Sequence, residues 1–334
     1  MIHGHGDDLY NYTGIRLNFS SNIPSCAPHL EALEEHLRRR ISVIRSYPEP
    51  APRSLEEKIA HSIGLNPSEV LVTSGATEAI YLIAQAAPLL CPPREGHRVP
   101  TYTVVHPTFS EYDSACQMFG LEARPDGDLC WLCNPNNPTG EVMGEGFIHD
   151  LARCHRLLVI DQSYEDYTLK HAETSPTLRG EGGERIRLHS LTKKYCIPGL
   201  RLGYVTAPSP VIGQLRRCCR PWSVNALAIE AGLWLTDQPL PDNRPWLAEA
   251  QRLRKRLNQI PGIHARETQT NFLLCTIEGH TAAELKEYLA RRRGILIRDA
   301  SNFPGLSPHH FRVAAQRPEE NDELVDAITV NFEL

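Results

Sequence analysis

Leu129-Cys-Trp-Leu-Cys133-Asn-Pro-Asn-Asn137-Pro-Thr-Gly140, followed after a stretch of helical length by Leu157-Leu-Val-Ile-Asp161, decides the fold class. Each begins as an unbroken apolar run and stops at a polar residue. A short strand that is apolar at every position is buried on both faces, as happens when helices cover both sides of a mainly parallel sheet. The same texture extends outward. Upstream lie Glu69-Val-Leu-Val-Thr73 and the run from His97 to Val105, and downstream lie Ile186-Arg-Leu-His-Ser190 and Gly203-Tyr-Val-Thr206. Strands alternating with helices over residues 54–235 predict a large α/β domain. Ligands of such sheets sit at the carboxyl ends of the strands, which is where the polar motifs of this chain fall.

Cys130 and Cys133 have a C-x-x-C spacing, but in an extended strand two residues three apart point to opposite faces. There is no second pair to complete a zinc site, so the pair reads as strand core and no metal is expected. The ten cysteines are scattered, which suits small buried apolar residues better than a disulfide framework.

From about residue 236 the texture changes. Thr281-Ala-Ala-Glu284 is a capping box that opens a helix running to Arg293 and stopping at Gly294. Arg291-Arg-Arg293 is then the solvated last turn of that helix, favoured by its dipole. Strands over Gly294-Ile-Leu-Ile-Arg298 and Phe311-Arg-Val-Ala-Ala315, and a helix from Pro318, complete a small α+β domain over 236–334. Residues 1–53 show no long alternation and are expected to pack with it as an arm.

At 334 residues, with 41% hydrophobic and 22% charged residues, the chain has the make-up of a soluble globular protein with a large core. A formal charge of -5 supplies no basic field for a nucleic-acid backbone. The first residues carry carboxylates where a secretion signal needs positive charge, and the apolar run from Ala79 to Cys91 falls short of the ~20 residues of a membrane-spanning helix. A cytoplasmic enzyme acting on a small molecule is the expectation.

Five segments carry chemistry. Ser190-Leu-Thr-Lys193 followed by Arg201 places an amine, hydroxyls and a guanidinium in a short stretch pinned by Pro198 and Gly199, as a phosphorylated aldehyde cofactor would require. Read alone, it is equally a basic surface loop. Ser74-Gly75-Ala76-Thr77-Glu78 follows a strand and opens a helix, whose free N–H groups and dipole suit a phosphate, although Ser74 or Thr77 capping the helix explains the string as well. Asn137 stands in a turn fixed by prolines and Gly140. Asp161 ends a strand with Tyr164 three residues on. A carboxylate there would favour a protonated pyridine nitrogen, while the bland reading is a helix cap. Phe109, after the strand ending near Val105, is either a stacking platform for a ring or simply core.

Taken together, and in this order, the strings resemble the fold-type I pyridoxal phosphate enzymes of the aspartate aminotransferase superfamily. The resemblance implies a large domain built on a mainly parallel seven-stranded sheet between helices, a small α+β domain, and pyridoxal 5′-phosphate as cofactor. It assigns Gly75, Ala76 and Thr77 to the cofactor phosphate, with Ser190 and Arg201 as further phosphate ligands. Phe109 would lie on the ring, Asn137 and Tyr164 at its oxygen, Asp161 at its nitrogen, and Lys193 would be the Schiff-base lysine. It also implies a homodimer in which Tyr47 reaches the neighbouring site.

Within the superfamily the chain is similar to histidinol-phosphate aminotransferases and, more closely, to the threonine-phosphate decarboxylases of cobalamin biosynthesis. The strings behind this are His3-Gly-His5-Gly-Asp7, Asn18-Phe-Ser-Ser-Asn22, Pro221-Trp222-Ser-Val-Asn225 and Asn302-Phe-Pro-Gly305. Arg312 matches a carboxylate-binding arginine and Arg298 one near a substrate phosphate, with Asn22 and His5 expected at the substrate. The implied reaction is decarboxylation of L-threonine O-3-phosphate to (R)-1-amino-2-propanol O-2-phosphate. An aminotransferase is the alternative, and a noncatalytic cofactor-binding regulator the remote one. Lys194, beside Lys193, has no role assigned by these motifs.

Overall fold

The computed structural model describes residues 6–93, 95, 98–168, 179, 180 and 183–329. His5 and His97, both named above, lie outside them. After a 3-10 turn at Leu9–Asn11 come β1 (Leu17–Asn18), α1 (Leu30–Arg40) and α2 (Arg53–Ile63). There follow β2 (Val70–Thr73), α3 (Gly75–Leu90), β3 (Thr101–Val104), α4 (Glu111–Met118), β4 (Glu122–Ala123), β5 (Leu129–Cys133), α5 (Glu145–Cys154) and β6 (Leu157–Asp161). β7 (Arg179–Gly180), β8 (Gly183–His189), α6 (Leu191–Lys194), β9 (Gly203–Thr206), α7 (Ser209–Cys218) and α8 (Ala226–Leu235) complete this part of the chain.

Seven of these strands lie in the order β2-β9-β8-β6-β5-β3-β4, with β7 paired to β8 beside them. The pairs from β8 to β4 are parallel, whereas β9 runs antiparallel to both β8 and β2. Parallel strands are usually joined by a full crossover helix. Residues 190–202, between β8 and β9, hold only the four-residue α6 and a short turn at Pro198–Leu200. The expected α/β sheet, mainly parallel and flanked by helices, is present; β7 pairs antiparallel with β8, and the reversal of β9 falls at the Lys193 segment.

β5 and β6 are buried at every position, which explains their continuous apolar sequences. Leu129, Trp131 and Cys133 pack on the face shared with Ile83, Tyr112 and Leu215, while Cys130 and Leu132 face Ile148 and Ile160. Cys130 and Cys133 thus point to opposite faces, as their spacing requires. Trp131 is fully buried, and its indole stacks on Tyr112 at 5.2 Å between ring centroids.

The second sheet contains β10 (Ile263–Ala265), β11 (Phe272–Ile277), β13 (Arg298–Asp299) and β14 (His310–Ala314), in the antiparallel order β10-β11-β14-β13. It packs on α9 (Arg244–Leu257) and α11 (Pro318–Thr329) through Leu253, Leu273, Val313 and Leu324. The strand expected over 294–298 is two short strands. β12 (Ile295–Leu296) pairs in parallel with β1 through Leu17↔Ile295, and the chain then steps across so that Arg298 pairs with Arg312. The N-terminal segment claims the first pair, which no local pattern encodes. The capping box forms as read: Thr281 Oγ1 accepts from Glu284 N at 3.2 Å and Glu284 Oε2 accepts from Thr281 N at 2.7 Å. The helix it opens is α10 (Ala282–Tyr288), which continues as a π-turn over Leu289–Arg293 and ends at Gly294, φ +67°.

The first 53 residues divide between two neighbours. Leu17–Phe19 is stitched to the second sheet, with Phe19 N donating to Leu296 O and Ala314 N to Phe19 O, whereas α1 lies against α8.

Candidate active site

The strand ends of the large sheet, the N-terminal segment and the second sheet together enclose a cavity of about 710 Å³. From the large sheet come Ala76, Thr77, Phe109, Asn137, Asp161, Tyr164, Ser190, Lys193 and Arg201. Arg298 and Arg312 face it from the second sheet, and Asp7, Ser20 and Ser21 from the N-terminal segment.

At its floor, β2 ends in the turn that starts α3. Ser74 makes no side-chain cap, and its N–H is taken by the Glu78 carboxylate instead. Gly75 has φ +82°, and a Cβ there would come within 2.9 Å of Arg201 Nη2. Only glycine allows both this backbone and this approach. The Arg201 guanidinium is thereby held against a helix N-terminus, which gathers positive potential as an anion site requires. Ser190 caps α6, its Oγ accepting from Lys193 N at 3.3 Å.

Asp161 is almost fully buried, with Tyr112 OH donating to its Oδ2 at 2.8 Å and Ser163 N to its Oδ1 at 2.9 Å. Burial lifts the carboxyl above its ordinary range, while the Ser163 and Tyr112 hydrogen bonds pull the other way. Tyr112, in the first turn of α4, lies edge-on to the Phe109 ring at 5.9 Å. No sequence motif marks it. Tyr164 OH accepts from Asn22 Nδ2 at 3.2 Å, and burial raises its phenol to about 12.

The Asn137 turn is built by its neighbour. Asn136 accepts from Thr108 Oγ1 at 2.8 Å and donates to Pro107 O and Thr139 Oγ1. Gly140, φ +72°, packs so closely on Thr268 that a Cβ would stand 2.1 Å from Thr268 Oγ1. Asn137 is thus free to turn its amide to the cavity, where its Oδ1 accepts from Arg312 Nη1.

The two adjacent lysines separate cleanly. Lys193 Nζ donates to Ser21 O at 2.8 Å inside the cavity. Burial first, then the Arg312 and Arg201 guanidiniums, pull it from 10.5 to about 8 against the opposing Asp7 carboxylate. Lys194 turns away to Asp166 at 3.3 Å, and burial notwithstanding, the Asp166 carboxylate holds its ammonium above the ordinary range. One amine is poised near neutrality and the other is locked as a cation.

Arg312 Nη2 donates to Ser20 O at 2.6 Å, while its buried Nε has no partner. Arg298 Nη2 donates to Asn302 Oδ1 at 2.7 Å, and its guanidinium lies 5.3 Å from the Phe303 ring centre. Burial lowers both guanidiniums to about 10, so both stay charged at neutral pH. Asn22 touches the site through Tyr164, its own Oδ1 buried and unpartnered. Tyr47 lies apart from the cavity, 85% exposed and 5.2 Å from the ring of Trp222.

The donor set fits a phosphorylated aromatic aldehyde: a glycine turn and a guanidinium for the phosphate, a buried carboxylate for a ring nitrogen, and an amine of lowered pKa for the aldehyde. Among the described residues, no three His, Cys, Asp or Glu side chains cluster as a metal site, and no helix is long and apolar enough to cross a membrane.

Comparison with known proteins agrees. The model of the aminotransferase class I and II family matches residues 120–328. A threonine-phosphate decarboxylase of Salmonella typhimurium is 30% identical over 341 residues, covering 93% of this chain and 90% of that protein. The crystal structure of L-threonine-O-3-phosphate decarboxylase from Porphyromonas gingivalis is similar with a TM-score of 0.85 at 32% identity, covering 93% of this chain and 98% of that one. A histidinol-phosphate aminotransferase of Thermoanaerobacter pseudethanolicus is 29% identical over 86% of this chain and 84% of its own length. With the fold, the cavity and these relatives in accord, the chain belongs to the class I and II aminotransferase family of pyridoxal 5′-phosphate enzymes.

Proposed function

We propose that this protein decarboxylates L-threonine O-3-phosphate to (R)-1-amino-2-propanol O-2-phosphate, a step of cobalamin biosynthesis. The observation that carries the reading is the pair of buried arginines, Arg298 and Arg312, facing the same cavity as Lys193. A substrate with both a carboxylate and a phosphate matches two guanidiniums, each able to make paired hydrogen bonds. The similarity to threonine-phosphate decarboxylases supports the same assignment.

When bound, pyridoxal phosphate supplies an aldehyde that captures the substrate amine and a ring that takes up the electron pair released at the α-carbon. The rest falls to the protein. Ala76 and Thr77, on the Gly75 turn, would hold the cofactor phosphate together with Ser190 and Arg201. Asp161, supported by Tyr112 and Ser163, would set a carboxylate at the ring nitrogen, Asn137 and Tyr164 would serve the ring oxygen, and Phe109 would cover the ring. Lys193 would hold the cofactor aldehyde, and its amine, whose pKa is lowered to about 8, would carry a proton at the α-carbon. Arg312 and Arg298 would bind the substrate carboxylate and phosphate. Asn22 positions Tyr164. The active form is a cytoplasmic homodimer in which exposed Tyr47 reaches the neighbouring cavity.

The test is incubation of the holoenzyme with L-threonine O-3-phosphate and measurement of carbon dioxide. Release in proportion to product supports the proposal. No release, with conversion of the cofactor to its amine form by histidinol phosphate, would establish an aminotransferase instead.

A further inference from the structure

The end of the cavity lined by Arg298 and Arg312 is covered by the N-terminal segment, and that segment is held from outside the cavity. Asp8 Oδ2 accepts from Lys286 Nζ at 2.6 Å, with only 12% and 11% of the two side chains exposed. Tyr12 OH donates to Glu287 Oε1 at 2.5 Å. The Tyr12 ring lies 5.5 Å from Lys286 Nζ and 5.6 Å from the Arg291 guanidinium, in range of cation–π attraction. Lys286 and Glu287 sit on α10, and Arg291, on the π-turn beyond it, braces Glu287 at 2.6 Å.

Inside these anchors, Gly6 and Asp7 lie on the machinery of the cavity. Asp7 N donates to Ser20 Oγ at 2.8 Å. A Cβ on Gly6 would stand 2.7 Å from Ser20 O and 3.4 Å from both Arg298 Cδ and Arg312 Nη2. Ser20 O is the acceptor of Arg312 Nη2, so a continuous line of contacts runs from α10 through Asp8, Gly6 and Ser20 to the guanidinium.

We propose that Asp8, Lys286 and Tyr12 are positioning residues: they pin residues 6–8 as a strap, and the strap sets Ser20 and both guanidiniums in place for an anionic substrate. The inference rests on reading the cavity as the site of a phosphorylated amine. A strap fixed before binding does not have to be ordered by the substrate, so its rigidity contributes directly to affinity. Releasing the pin leaves Lys193 and the cofactor-facing residues in place and frees the far wall.

The test compares the holoenzyme with Asp8→Asn, Lys286→Met and the double variant. The expected result is a rise in KM for L-threonine O-3-phosphate of about tenfold, with kcat within about twofold of wild type. The double variant should be no worse than the more affected single one, because both break the same contact. Amide exchange at residues 6–12 should quicken in all three. An unchanged KM overturns the proposal, whether or not the melting temperature falls, because a pin that only stabilises the fold would leave KM alone. Asp8→Asn keeps the side-chain shape and answers the question if Lys286→Met does not fold. If wild type leaves phosphothreonine untouched, the substrate reading has failed, and the same KM ratio is then read on histidinol phosphate, whose phosphate meets the same arginines.

Discussion

The two walls of the cavity are made in different ways. The wall built on the large sheet comes from strand ends, and each of its groups sits within a few residues of the strand that places it: Thr77 after β2, Asn137 after β5, Asp161 at the end of β6 and Lys193 after β8. The opposite wall joins Gly6, Ser20, Arg298 and Arg312, with the Ser20 carbonyl bonded to a guanidinium 292 residues away. The first wall is set by short-range chain geometry and the second by tertiary contacts. Damage to the first should therefore appear in chemistry and cofactor retention, and damage to the second in substrate affinity.

The comparison breaks most visibly at the lysines. Lys193→Ala should lower turnover by at least about 10⁴-fold and abolish the covalent absorbance of the bound cofactor, since the nucleophile and the proton carrier go together. Lys194→Ala, losing the ion pair to Asp166 and the cation–π contact with Tyr195 outside the cavity, should retain that absorbance. The reverse pattern would mean that the two amines had been exchanged. Asp161→Asn should cost roughly 10²- to 10³-fold in kcat, measured at saturating substrate, with KM little changed. A large KM effect there would show that the walls are not functionally separate.

On the second wall the expected signature is the opposite. Replacing Arg298 or Arg312 by Leu removes charged hydrogen bonds worth about 1.5–3 kcal/mol each, so KM should rise roughly 10- to 100-fold for a substrate carrying both anions. Competition by inorganic phosphate should weaken more in Arg298→Leu than in Arg312→Leu if the phosphate lies at Arg298.

This division also explains what the sequence disclosed. The strand runs and the polar residues that end them were readable because a buried strand and its turn are local features. Asp161 and Asn137 therefore appeared in the sequence at the strand ends where the structure places them. Tyr112, which bonds Asp161 from 49 residues away in the chain, carries no local motif. The segment 294–298 read as one strand because nothing local marks the place where β1 takes the first pair. Ser20 and Ser21 meet Arg312 and Lys193 through carbonyl oxygens, and a carbonyl carries no side-chain identity for a motif to display. Lys194 had no assigned role until Asp166, 28 residues away in the chain, proved to hold it.

The smallest expected effect is the one that crosses between the walls. In the chain freed of cofactor, the Lys193 amine should lose its proton near pH 8, not 10.5, so its acylation by acetic anhydride, followed by mass spectrometry, should accelerate through that pH. Arg312 lowers this pKa and Asp7 raises it. Arg312→Leu should therefore move the inflection upward and Asp7→Asn should move it downward, while the Lys194 site keeps its late titration. The sign also fixes a stability effect. Between about 8 and 10.5 the unfolded chain holds a proton at residue 193 that the folded chain lacks, so this group makes the fold more stable as pH rises through that window. In Arg312→Leu the window should narrow from its lower end. An inflection that stays put in both Arg312→Leu and Asp7→Asn would mean that the second wall exerts no field on the lysine.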